Sequence, residues 1–424
     1  MALPDVAAAV ESALDRLDLG RVVKPGDSVA VTAGSRGIKG IVEVLKGVVE
    51  YLRRVLGAKP FLFAAMGSHG GGTPEGQLAV LSALGIDERS VGCPVRATSE
   101  TLLAGDGRGA NEFGRGAPVD ALAAAADHVL VVNRVKSHTK YDAGPGGVES
   151  GLCKMCLVGV GKAAGAALYH RLADRHSWTM VVDAFLPLVL EGLPVRGGLA
   201  LVQDARGNLA RVEGLLPGEF RRIEPRLLEL AKRLTPDLPF DDVDLLVVDQ
   251  IGKDVSGTGM DTNVIGRGKV GSSEKVRVRR IFARGLSGAS EGNANGIGFA
   301  DFTTREVLAS VDWRATYLNA RSAGRTESCK APMALGSDSE VLEAALELAG
   351  LGAEGCGGGD PSEFRLLWIR DTSTLDRFVA SEAFFEEARD REDVHLVIEP
   401  RRLEFNARGR LVNPAGDWSR WPVH

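Results

Sequence analysis

Seven histidines are few for a chain of 424 residues, and two of them stand where chemistry is done. His69 lies in the glycine-rich run Met66-Gly67-Ser68-His69-Gly70-Gly71-Gly72. His138 lies in Asn133-Arg134-Val135-Lys136-Ser137-His138-Thr139-Lys140. Each follows an apolar run that reads as a strand. A lone histidine is more often structural than catalytic. Two in post-strand loops of one α/β unit can converge on one crevice, and imidazole titrates near neutral pH, as a general acid or base must. A third, His170, follows Gly165-Ala166-Ala167-Leu168-Tyr169. His128, His176, His395 and His424 have no such setting and read as structural or solvated.

Lys154 sits among apolar neighbours in Glu149-Ser150-Gly151-Leu152-Cys153-Lys154-Met155-Cys156-Leu157. Burial lowers a lysine pKa and makes the amine a usable nucleophile; the other reading is a lysine that snorkels to water. Cys153 and Cys156 invite a redox or zinc reading, but no second cysteine pair follows at zinc spacing, and small buried residues are the simpler account. Arg36, in a glycine-flanked loop after a strand, is suited to a bidentate grip on a carboxylate, or is surface charge. The run from Gly67 to Gly72 has glycines enough to cradle a phosphate, but it has neither the Walker nor the dinucleotide spacing. In the second half, Lys253 and Arg267 are cations near the carboxyl end of a strand, where a ligand approaches; surface charge is again the alternative.

These residues need a scaffold. Apolar residues make up 44% of the chain and charged residues 25%, an ordinary globular balance that excludes a disordered or collagen-like chain. The net charge of −5 gives no global pull toward nucleic acid or an anionic membrane. Five cysteines do not form a secreted disulfide framework. The N-terminal residues lack a signal-peptide pattern, and the best apolar stretch, Trp178 to Leu193, is too short and too polar to span a bilayer. A cytoplasmic protein is expected.

Strand-like and helix-like segments alternate. Strands are predicted at 28–33, 61–65, 128–133, 243–249, 277–283, 365–370 and 394–398. Helices are predicted at 5–18, 41–56, 121–126, 220–234, 303–319, 339–350 and 375–389. This order is that of an α/β protein with a mostly parallel sheet in its first half, whose ligands sit at strand carboxyl ends. The proline-rich stretch Leu234 to Asp242 marks a boundary. Two α/β domains are expected, 1–238 and 239–424, with the active site in the cleft between them.

Four segments taken in order resemble the lactate racemase family, which depends on a nickel-pincer nucleotide. They are Met66-Gly-Ser-His69-Gly, Asn133-Arg-Val-Lys-Ser-His138-Thr, Glu149-Ser-Gly-Leu-Cys-Lys154-Met and Gly165-Ala-Ala-Leu-Tyr-His170. The resemblance spans residues 25–175, with a weaker match at Gly257-Thr-Gly-Met-Asp261-Thr-Asn263. It implies that Lys154 carries the cofactor through a thioamide and that His170 ligates nickel. It implies that His69 and His138 are the acid–base pair, and that Arg36 holds the substrate carboxylate. It also implies partners, namely a small 2-hydroxy acid and the proteins that make the cofactor. The stretch between His138 and Lys154 is longer than in the lactate enzyme, and the second-half pattern differs.

The expected reaction is racemisation or epimerisation of a 2-hydroxy acid through a planar 2-oxo acid. The first domain carries catalysis and cofactor; the second completes the substrate cleft. With Lys253 and Arg267 as candidate readers of the variable end, a larger polar hydroxy acid is expected over lactate. The alternative from another class is a non-catalytic carrier of the nickel-pincer cofactor, which would need Lys154 and His170 but neither His69 nor His138.

Overall fold

The structure is a computed structural model. It describes residues 2–35, 37–105, 111–138, 144, 146–204, 207–235, 237–267, 276–351, 359–414 and 416–418. The chain divides into two compact units, Met1–Thr235 and Pro236–His424.

The first unit holds β1 (Ser28–Ala33), β2 (Lys59–Ala64), β3 (Val95–Arg96), β4 (Thr101–Ala104), β5 (Ala117–Asp120), β6 (His128–Arg134), β7 (Val195–Gln203) and β8 (Leu209–Leu215). Six of these form one sheet in the order β3-β2-β1-β6-β7-β8, while β4 and β5 pair as a separate antiparallel ribbon. Only β8 runs antiparallel to its neighbour in the large sheet. Side-chain alternation explains why it is buried on both faces. Val29, Val31, Leu62, Ala64, Leu130 and Val132 join one apolar cluster, whereas Ala30, Phe61, Phe63, Val129 and Val131 join another. Helix Ile41–Arg54 covers the first layer with Val44, Leu45, Val48, Val49 and Leu52, the stripe that its period predicts.

Strand order reverses between β1 and β6, so the crevice of a doubly wound sheet falls there. Thr32 opens it. The β1–β6 register runs only from Val29↔His128 to Val31↔Leu130, while β1 and β2 stay paired to Ala33↔Ala64. Beyond Val31 the buried Thr32 hydroxyl donates to Val132 O at 3.1 Å and accepts from Val132 N at 2.8 Å. A side chain thus takes over the β6 backbone groups that the β1 backbone would otherwise pair, and the strands part at their carboxyl ends.

The second unit has β9 (Asp242–Val248), β10 (Arg277–Ala283), β11 (Phe302–Thr304), β12 (Met333–Leu335), β13 (Leu366–Asp371) and β14 (Thr374–Ala380). Their order is β12-β11-β10-β9-β13-β14, with the last strand antiparallel. The architecture is α/β in both units, with two six-stranded, mostly parallel sheets.

Three local expectations are corrected. The run 375–389 is not one helix: Thr374–Ala380 is a strand, closed onto β13 by a tight turn, and a short helix Phe385–Arg389 follows. The run 394–398 is not a strand, since it has no sheet partner and leaves Leu396 and Val397 exposed. The run 303–319 splits into strand Phe302–Thr304 and helices Arg305–Ala309 and Trp313–Ala323. Among the described residues no single helix is long and apolar enough to cross a membrane; one sharply bent pair, Leu152–Gly159 with Lys162–Ala173, passes on length and composition, and most of it lies in the core.

Candidate active site at the β1–β6 crevice

β1, β2 and β6 each deliver a loop to the same end of the sheet. After β1 come Gly34 and Ser35, after β2 comes Met66 to Gly72, and after β6 come Val135 to His138. Since β2 and β6 flank β1, the loops of His69 and His138 leave on opposite sides of the β1 loop. Ser35 Oγ hydrogen-bonds His69 Nδ1, which joins the β1 and β2 loops and orients the ring. His69 itself is exposed. Arg36 lies outside the described residues, as do residues 139–143.

The His138 loop is held through its backbone. Its amide donates to Glu149 Oε2 at 2.6 Å, and Glu149, 1% exposed, also meets Lys232 Nζ at 2.9 Å. Lys136 and Ser150 form an antiparallel bridge, and Asn133 Nδ2 donates to Gly151 O at 2.7 Å. The segment that starts at Gly151 is therefore sewn to the end of β6.

That segment carries Lys154. A single α-helical turn, Leu152–Lys154, runs into a π-helical stretch, Met155–Gly159. Such turns recur at functional sites. Cys153, Met155, Cys156 and Leu157 are buried, whereas Lys154 and Val158, four residues apart, are half-buried. Met155 reaches Gly34: a Cβ there would lie 3.1 Å from Met155 Cε. A Cβ on Gly67 would lie 3.2 Å from Val158 O and 3.4 Å from Ala166 Cβ. Ala166 precedes His170 by one turn on helix Lys162–Ala173, where His170 is half-buried. The segments of Lys154, His69 and His170 thus meet at Gly67.

Cys153 and Cys156 are both fully buried. Burial pushes both thiol pKa values well above the ordinary range, with Glu224 adding to the effect. Among the described residues no group of three or more His, Cys, Asp or Glu could hold a metal by itself. Arg267 spends its guanidinium on Val278 O at 2.6 Å, Arg279 O at 3.2 Å and Asp301 Oδ2 at 3.2 Å, all in the second unit. It braces that segment. Lys253 is exposed and its Nζ meets Asn319 Oδ1.

Glu224 was not anticipated. It comes from helix Phe220–Leu234 and is fully buried. Its Oε2 accepts from Cys153 N at 3.1 Å, so it caps the turn bearing Lys154 from another helix. Gly151 makes the room, since a Cβ there would lie 2.3 Å from the carboxyl carbon. Its position was available from the pattern: with Phe220, Leu227, Leu228 and Ala231 it falls on the buried stripe. Burial raises its pKa from 4.5 to about 7, against the pull of the backbone amides. A raised folded-state value favours the fold when the group is protonated. That stability is complete below 4.5 and is lost as pH rises through about 7. Glu224→Gln keeps the acceptor and removes the titration. The variant is expected to lose this part of the stability decline between pH 5 and 8, on the order of 3 kcal/mol. Denaturant titrations at both pH values measure it, and an unchanged decline contradicts the assignment.

With the geometry in place, comparison with known proteins adds one finding. No family model matches the sequence, and no curated protein does. Among solved structures, the lactate racemase apoprotein from Thermoanaerobacterium thermosaccharolyticum superposes with a TM-score of 0.51. The match covers 88% of this chain and 93% of that one at 12% identity. The chain shares its fold with lactate racemase. A Thermotoga maritima protein aligns over 86% of this chain and 97% of its own, at 14% identity and a TM-score of 0.45. At these identities the likeness concerns the fold alone.

Proposed function

We propose that the protein is a racemase or epimerase of a 2-hydroxy acid that works with a nickel-pincer nucleotide. The observation that carries this reading is the placement of His69 and His138 in loops leaving the two strands that flank β1. Inverting a carbon that bears H and OH demands a proton acceptor for each enantiomer. A carboxylate barely acidifies the C–H, so losing that hydrogen as hydride, while the hydroxyl proton leaves, is the easier route to a planar 2-oxo acid. Each histidine then takes the hydroxyl proton when its own enantiomer is oxidised and gives a proton back when that same enantiomer is formed, so a turnover leaves one histidine protonated and the other not.

The donor set fits the cofactor. Lys154 offers an amine from a half-buried position beside the His69 loop, and His170 offers one half-buried imidazole from the helix packed on that loop. A pincer ligand would bring its own sulfur and carbon donors, so the protein would need to supply one imidazole, that of His170, and no metal cluster of its own. When bound, the group accepts and returns the hydride, which no side chain can do. The protein's own part is to hold the acid and move protons. Ser35 orients His69, Glu149 fixes the backbone of His138, and Arg36, next in sequence to Ser35, is assigned the substrate carboxylate.

Lys253 is assigned the variable end of the substrate, which favours an anionic or hydroxyl-rich group there. A racemisation panel of lactate, malate, an aromatic hydroxy acid and a sugar acid, run on protein made in a host that synthesises the cofactor, tests the reading. Turnover of a larger polar acid above lactate is expected. Lys253→Ala is expected to raise its KM about tenfold, the worth of one charged contact. Preference for lactate, indifferent to that substitution, overturns the specificity. A loaded protein that racemises none of the four is a carrier instead.

A further inference from the structure

Lys162 is a lysine only 1% exposed in the core of the first unit. Its Nζ donates to Ala64 O at 2.7 Å and Gln77 Oε1 at 2.5 Å, and meets Asp120 Oδ2 at 3.4 Å. Three acceptors around three N–H donors is the environment of an ammonium, since a neutral amine would turn a lone pair on an oxygen. Burial lowers the Lys162 pKa and raises that of Asp120, and each is pulled back by the other. Gln77, also fully buried, passes the contact on. Its Oε1 is taken by Lys162, so its Nε2 must face the other way, where it donates to Gly67 O at 3.0 Å and His69 O at 3.4 Å.

Those two carbonyls belong to a loop with little preference of its own. Gly67, Gly70, Gly71 and Gly72 all have positive φ, at 61°, 63°, 69° and 72°. Ordering such residues costs more backbone entropy than ordering any other residue type. Lys162 also has φ 56°, a left-handed backbone that a side-chain-bearing residue keeps only where its surroundings impose it. It opens the helix that carries His170.

We propose that Lys162, acting through Gln77, is a positioning residue that sets the conformation of the His69 loop and ties it to the helix of His170. The proposal rests on the racemase reading for its catalytic meaning and on geometry alone for its structural one. Asp120 balances the charge; it also caps the turn Ala121–Ala124, accepting from Leu122 N at 2.8 Å and Ala123 N at 3.2 Å.

Two variants of the full chain test it. Gln77→Met keeps the ion pair and cuts only the link to the loop. Lys162→Met with Asp120→Asn removes both charges together, which avoids the penalty of one unpaired buried ion. Amide hydrogen exchange is expected to quicken about tenfold or more in a peptide spanning 66–73 in both variants. Peptides over β6 and β7 are expected to hold their parent rates. In cofactor-loaded protein, kcat for racemisation falls about 10- to 100-fold, the cost of a misplaced group, with KM within about twofold. Unchanged exchange in the loop of Gln77→Met, or exchange that quickens equally everywhere, overturns the proposal. A parent chain that racemises nothing sinks the racemase reading and leaves the exchange result to decide this one.

Discussion

Lys154→Ala is expected to abolish the covalent cofactor adduct and racemisation together, while the protein stays folded. The side chain is half-buried on a turn whose apolar neighbours Cys153 and Met155 do the packing, and alanine is the best helix former. Intact-mass analysis of parent and variant, made side by side in a cofactor-producing host, reads the adduct directly. The loss is all-or-none, since no other lysine stands on that turn. Cofactor retained at another residue in the variant overturns the attachment. A parent that carries no adduct in such a host removes the pincer nucleotide from the account altogether.

His69→Ala and His138→Ala are each expected to slow racemisation by a factor on the order of 10²–10⁴, as loss of a general acid–base group does. The two variants should differ in kind. If each histidine serves one enantiomer, each variant still oxidises the enantiomer whose base survives, and 2-oxo acid accumulates on the enzyme from one hand only. Mirror-image half-reactions in the two variants support the two-sided arrangement around β1. A variant that racemises at the parent rate takes its histidine out of the mechanism. Because Ser35 meets the His69 ring, Ser35→Ala is expected to weaken the His69 side selectively.

What could be read from the residues follows a physical divide. Segments whose burial is decided locally were legible. Ser28 to Ala33 alternates between two apolar layers and is a strand over that same range, and Phe220 to Leu234 is a helix from end to end. Local pattern failed where partners decide. Thr374–Ala380 is a strand because β13 lies beside it, and 394–398 has the apolar, β-branched composition of a strand but no neighbour to pair with. The same divide runs through the site. His69, His138, Lys154 and His170 stand out in the sequence because each sits in a distinctive local setting that also carries the resemblance to a known family. Lys162, Gln77 and Asp120 were not, because what joins them is contact across the fold. The one local hint was a solitary cation in Gly159-Val160-Gly161-Lys162-Ala163-Ala164-Gly165.

Thr32 has a consequence for how such a protein can change over generations. By taking the β6 backbone groups on its own hydroxyl, it ends the β1–β6 ladder before the strands end. The loops that follow are thereby uncoupled from sheet register. Residues can be inserted or lost between Gly34 and Gly40, or between Val135 and Val148, without shifting a strand pairing that holds the two apolar layers. Those loops can drift in length as well as in residue type, on a scaffold that need not refold to follow.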